Sequence, residues 1–255
     1  MSMKFVDVHT HPLKEYYEDT DLVIKRANSN GVAVMMVTGC SLEENKEVLK
    51  TCAKYNFTFP VIGVHPNNAK GSIDAQLLEK QITPNVKAIG EIGLDFYWDS
   101  VPKQVQIDSF CAQIDLAKKY NLPVVIHMRD SYADLYEILL KYPDVKFMIH
   151  TYSGDLYWAQ KFNELGVYFS FSGVATYKNA LKTIEVIDWL PVDKILTETD
   201  APYLSPASQR GSQNVSENVK ETAIFIAGIK KMPPENFVKQ VYKNAKEFFK
   251  LNEKK

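Results

Sequence analysis

An α/β fold closed into a single (β/α)8 barrel is what this sequence predicts, with the functional residues at the C-terminal ends of the strands. Three observations carry that expectation. Eight short runs rich in β-branched and aromatic residues recur along the chain, segments of helical spacing separate them, and reactive polar side chains gather where the runs end.

In order, the candidate strands are "KFVDVH", "VAVMMVT", "FPVIGVH", "VKAIGEIG", "PVVIHM", "VKFMIH", "VYFSFS" and "KILTETD". Several are apolar on both faces, the pattern of parallel strands covered by helices. The helical segments begin with "DTDLVIKRANSN" ahead of Gly31 and "LEENKEVLKTCAKY", which follows Ser41 at a suitable N-cap position. They continue with "PKQVQIDSFCAQIDLAKKYN", "SYADLYEILLKY", "DLYWAQKFNELG" and "NALKTIEVIDWL". After the eighth strand, Ala201 to Val215 reads as a loop, and "ENVKETAIFIAGIKK" and "PENFVKQVYKNAKEFFK" read as two closing helices. No linker or shift in composition divides the chain, so residues 1–255 are expected to form one domain.

Composition narrows the functional classes. A length of 255 residues allows one large core, and 45% hydrophobic with 24% charged residues is globular rather than disordered or fibrous. A net charge of -1 supplies no global attraction to nucleic acid, so any such role rests on local groups. Cys40, Cys52 and Cys111 are odd in number and widely spaced, which suggests neither a disulfide framework nor a thiolate zinc site. A reducing cytoplasm follows as the expected compartment. No signal peptide, membrane span or obligate protein partner is evident.

Strand ends carry the site in a parallel barrel. Here they carry His9 and His11, His65, Glu91, His127, His150 and Asp200, so every histidine of the protein lies at a strand end. Side chains two apart share a face. That parity groups Asp7 with His9 and His11, Ile89 with Glu91, Val125 with His127 and Arg129, Met148 with His150, and Glu198 with Asp200. Taken singly, a strand-end histidine is usually a hydrogen-bonded core or surface residue, and Asp200 alone caps a turn. Brought together at one mouth, five imidazoles and two carboxylates are costly to bury unpaired and suit a divalent cation. Six good ligands are more than one catalytic ion uses, which suggests two ions, and Glu91 has two oxygens with which to bridge them. Asp7, one step deeper on the same face, is expected to be a buried structural carboxylate rather than a ligand.

The segments "FVDVHTHPL", "GVHP", "IGEIGLDF", "PVVIHMRD", "HTYSG" and "LTETDAPYLSP" followed by "RG" resemble the TatD family of metal-dependent deoxyribonucleases, within the amidohydrolase-like barrel superfamily. They run in the family order from Phe5 to Arg210 and so cover essentially the whole chain. The resemblance implies that His9, His11, Glu91 and Asp200 hold a first metal and that Glu91 bridges to a second held by His127 and His150. Histidine and carboxylate ligands suit Zn, Mn or, less well, Mg, so the sequence leaves the identity of the two ions open; Glu91 and Asp200 are expected as the catalytic carboxylates, with Asp200, a strand-end carboxylate beside the metal, as proton acceptor. His65 is expected to contact substrate rather than metal, Arg129 and Arg210 to meet phosphate, and Tyr203 to pack the mouth or stack a base.

Two stretches depart from the family pattern. "RGSQNVSEN" keeps Asn214 and Asn218 but lacks the usual basic pair and proline, and Thr151 and Tyr152 replace the usual residues after His150. The implied activity is 3'-to-5' exodeoxyribonuclease action on single-stranded DNA ends or short oligonucleotides, through a two-metal-activated water. Hydrolysis of a small phosphoester, amide or lactone is the alternative, and a non-catalytic metal-binding scaffold is the third reading.

Overall fold

The computed structural model describes residues 3–251; residues 1–2 and 252–255, which the single-domain expectation also spans, lie outside the described residues. Eight strands, β1 (Phe5–Thr10), β2 (Val32–Gly39), β3 (Thr58–Ile62), β4 (Ala88–Asp95), β5 (Val124–Arg129), β6 (Phe147–Ile149), β7 (Tyr168–Phe171) and β8 (Ile195–Thr197), pair in chain order. Every neighbour pair from β1·β2 to β7·β8 is parallel. The result is the expected barrel, nearly closed.

Helices α1 (Thr20–Ser29), α2 (Leu42–Cys52), α3 (Ile73–Glu79), α4 (Lys103–Lys119), α5 (Tyr132–Leu139), α6 (Leu156–Glu164) and α7 (Leu181–Trp189) alternate with the strands, and α8 (Val219–Ile229) and α9 (Pro234–Phe248) follow β8. Ser41 caps α2 as its sequence context suggests, its side chain accepting from the Glu44 amide. The seven-residue α3, "IDAQLLE", is a helix that the spacing does not single out, because two turns are too short to show a period. Apolar faces of the helices and strands share one core that includes Phe110, Phe162, Phe169 and Phe237.

Closure between β8 and β1 is made at the end of the last strand and just beyond it. The Thr197 hydroxyl donates to the Val6 carbonyl at 3.0 Å, the Asp200 amide to the His9 carbonyl at 2.9 Å, and the His11 amide to the Ala201 carbonyl at 2.8 Å. The seam of the barrel therefore runs through residues expected to be functional.

The strands are less regular than simple alternation assumes. β8 stops at Thr197 and β6 at Ile149, so Glu198, Asp200 and His150 stand past the strand ends rather than on them. Register shifts fall between Asp7 and Thr10 in β1 and between Ile89 and Ile92 in β4. Irregularities of this kind re-aim side chains, and they cluster beside functional sites.

Candidate metal centre

The β1 tip sets the first group. His9 and His11 are buried with their Nε2 atoms 3.1 Å apart. The Nδ1–H of His11 donates to the Thr38 carbonyl at 2.9 Å, which fixes the tautomer and leaves the Nε2 lone pair facing the site. His9 Nδ1 is buried without a hydrogen-bond partner. Asp200, held in the left-handed region at φ 54°, brings Oδ1 to 3.6 Å from His9 Nε2 and 3.4 Å from His11 Nε2. Aspartate tolerates that backbone conformation better than most residues.

Glu91 stands between two sets of donors. Its Oε2 lies 3.3 Å from His9 Nε2 and 3.9 Å from His11 Nε2. Its Oε1 lies 2.7 Å from His127 Nδ1 and 2.8 Å from His150 Nε2, and those two nitrogens are 3.4 Å apart. Each remote nitrogen of this second pair meets a carboxylate, His127 Nε2–H donating to Asp95 at 3.0 Å and His150 Nδ1–H to Glu198 at 3.3 Å.

These separations suit metal coordination. Bonds of about 2.0–2.2 Å place neighbouring ligand atoms about 3–3.5 Å apart, close to the spacing around Glu91 Oε2. Groups within reach of a cation include His9, Glu91 and His150, and His9, His11 and Asp200. The Oε1 contacts are shorter because two imidazole N–H groups donate to that oxygen; a cation there replaces those protons.

The electrostatics agree. Burial opposes the charge on Glu91, but His150 and His9 outweigh it and hold the carboxyl well below the usual range. Burial also disfavours a charged His150, yet Glu91 and Glu198 carry it well above the ordinary imidazole value. His127 is raised in the same way against its own burial, by hydrogen bonds to Asp95 and Glu91, and His11 by Asp200. His9 goes the other way, because burial and the neighbouring His150 both lower it.

The remaining expected residues are distributed around this centre. His65 Nδ1 accepts from the Asn67 amide at 3.1 Å, so its Nε2 carries the proton and faces Glu91 Oε1 at 3.6 Å. Burial pushes its pKa down to about 3, which keeps the ring neutral. Arg129 is exposed and lays its guanidinium over the Tyr97 ring, 3.8 Å from the centroid. Arg210 is exposed near Tyr177, at 5.2 Å, and Tyr203 packs edge-on against Tyr16 with centroids 5.8 Å apart. Asp7 is fully buried and accepts from the Thr199 amide at 2.9 Å and hydroxyl at 2.6 Å.

Three residues join the site without having been singled out by their strand-end position. Asp95 shares the parity of Glu91 four residues earlier, a signal present in "GEIGLD". Glu198 shows the same parity with Asp200. Cys40, whose Sγ lies 3.5 Å from Glu91 Oε2, forms a group with His11 and Glu91. A count of cysteine pairs is blind to a thiol whose neighbours are a histidine and a glutamate. Cys40, Cys52 and Cys111 are all free.

A family model described as TatD related DNase matches residues 6–250. The uncharacterized metal-dependent hydrolase YabD of Bacillus subtilis is 37% identical over 253 residues, covering 96% of this chain and 99% of its own length. The uncharacterized metal-dependent hydrolase YcfH of Escherichia coli is 30% identical over 257 residues, with 98% and 97% covered. Among solved structures, the TatD homologue YjjV of Escherichia coli superposes with a TM-score of 0.91 at 28% identity, covering 99% of this chain and 100% of that one.

Proposed function

Because the chain belongs to the TatD-related DNase family of metal-dependent hydrolases, we propose that it cleaves phosphodiester bonds as a 3'-to-5' exodeoxyribonuclease on single-stranded DNA ends. The observation that carries this reading is the division of Glu91, whose Oε2 meets His9 and His11 while its Oε1 meets His127 and His150. In the proposal, His9, His11, Glu91 and Asp200 hold one divalent ion and Glu91, His127 and His150 a second. Imidazole and carboxylate donors suit Zn or Mn, and Mg less well. When bound, such a pair acidifies water and polarises a phosphoryl oxygen.

The chain's own residues supply the rest. Asp200, at the edge of the first group, accepts the proton of the attacking water. His65 presents a neutral Nε2–H to a phosphate oxygen or the leaving group. Arg129 and Arg210 neutralise phosphate from the rim, and Tyr203 packs against Tyr16 at the mouth. A net charge of -1 and a "RGSQNVSEN" loop without a basic pair favour a short single-stranded end over a long duplex. Free thiols are consistent with a cytoplasmic location, and no helix among the described residues is long and apolar enough to cross a membrane.

End-labelled single-stranded DNA incubated with protein loaded with Mg, Mn or Zn should give a ladder shortening from the 3' end. Asp200→Asn should lower kcat by about 10²–10⁴-fold while circular dichroism shows the fold retained. The absence of a ladder with all three metals sinks the nuclease reading. Turnover of a small phosphoester or lactone under those conditions would support the alternative, since the same site polarises a carbonyl equally well.

A further inference from the structure

The rim beside β4 carries an unusual pair of side chains. Tyr97 and Trp98, in the loop between β4 and α4, are 55% and 52% exposed, with ring centroids 4.9 Å apart at 90°. Large aromatic rings are ordinarily drawn into cores or interfaces, and a floppy loop would let these two fold down. This loop is held.

Asp95 Oδ1 accepts from the amides of Tyr97 at 3.1 Å and Trp98 at 3.3 Å. Gln106 clasps both ends of the segment, accepting from the Asp95 amide and donating to the carbonyls of Asp95 and Val101. The Phe96 amide donates to the Arg129 carbonyl at 2.9 Å, and the Arg129 guanidinium covers one face of Tyr97. The loop backbone is therefore held, and the two rings stand exposed and flanked by a cation.

Their position relative to the chemistry is fixed by one carboxylate. Asp95 Oδ2 receives His127 Nε2–H at 3.0 Å, and the other nitrogen of that ring faces Glu91. One side chain thus separates the aromatic loop from the metal centre. In the strand order β1 to β8, this loop stands across the barrel from the β8–β1 seam, where Tyr16 and Tyr203 form a second pair.

We propose that Tyr97 and Trp98 form a nucleobase-stacking subsite, which seats a base of the single-stranded chain next to the scissile phosphate while Arg129 meets the adjoining phosphate. The assignment rests on the nuclease reading above. Every base offers a π face, so such a platform binds without sequence preference, and the nearby guanidinium supplies the matching charge for the backbone. A loop whose backbone is already held also lowers the ordering cost of binding. The exposed Asp99 in the same loop adds negative charge, which confines the phosphate to the Arg129 side.

The test compares metal-loaded parent protein with Trp98→Ala and Trp98→Phe on hexathymidylate, with bound metal measured in each. The subsite requires KM to rise about 5- to 100-fold in Trp98→Ala with a smaller change in kcat, the metal content to be unchanged, and Trp98→Phe to recover most of the loss. A KM unchanged in Trp98→Ala, while the parent degrades the oligonucleotide, overturns the subsite alone. A loss shared equally by both variants together with reduced metal content also overturns it, because the ring then serves only the fold around Asp95. A parent that neither binds nor cleaves hexathymidylate overturns the nuclease reading and the subsite with it.

Discussion

The two halves of the site around Glu91 are built on different plans. On the Oε2 side, Asp200 reaches the nitrogens of His9 and His11 directly, while the far sides of those rings have only the Thr38 carbonyl and, for His9, nothing. On the Oε1 side, among the described residues, no further carboxylate joins Glu91 next to the nitrogens of His127 and His150 that face it. Instead Asp95 and Glu198 stand behind the rings. Both halves draw on acidic residues, but one places the charge against the cation position and the other an imidazole's width away. A carboxylate behind an imidazole orients it and makes it a stronger donor without neutralising the ion in front. On the proposed ligand assignment, the Oε2 half is suited to hold a cation and take a proton, and the Oε1 half, with one directly placed carboxylate fewer, to leave its cation the stronger Lewis acid.

The largest effect should come from the residue that joins the halves. Glu91→Gln keeps the shape of the side chain and removes its charge, so both cations should be lost together, as measured by metal stoichiometry after dialysis. Retention of either ion at parental affinity would break the bridging assignment.

A smaller effect should separate the halves. Asp95→Asn and Glu198→Gln should each weaken one of two metal-binding events by about 10- to 100-fold and leave the other unchanged, read by calorimetric titration of the metal-free protein. Equal weakening of both events would mean that the halves are not distinct.

The smallest effect concerns the support behind the Oε2 half. Burial, opposed by hydrogen bonds from Thr199 and Ser216, pushes Asp7 up from 3.8 to about 7. The folded protein therefore holds this proton at pH values where the unfolded chain has released it. The stabilisation is fully present below about pH 4 and is lost as pH rises through about 7. In the metal-free protein, Asp7→Asn should flatten the decline in urea midpoint across that window. A decline of unchanged slope would show that Asp7 does not titrate there.

The contrast between the halves also marks how far residues alone could lead. The barrel was legible because β-branched runs and helical spacing alternate along the whole chain, and the convergence of His9, His11, Glu91, His127, His150 and Asp200 was legible because strand ends meet at one mouth. Asp7 was legible as buried from the same parity. What stands behind the rings was not. Asp95 and Glu198 act through the far nitrogens of histidines from other strands, and strand spacing does not say which way a ring is turned. The role of Asp200 depends on a left-handed backbone after β8, where alternation has already ended. Tyr97 and Trp98 sit in a loop, where no period marks a face. Cys40 directly follows β2 and lies against Glu91, so the strand-end rule reaches it, but pairing cysteines by spacing does not.

The β8–β1 seam ties completion of the site to the order in which the chain is made. His9 and His11 are synthesised some 190 residues ahead of Asp200 and of the backbone partners that lock them, at Asp200 and Ala201. A growing chain therefore carries a histidine pair that has neither its carboxylate nor its closing hydrogen bonds. On the proposed ligand assignment, a half-built site would bind a cation weakly, and stable loading would require the last strand to have docked against the first. Metal uptake would then report completion of the barrel.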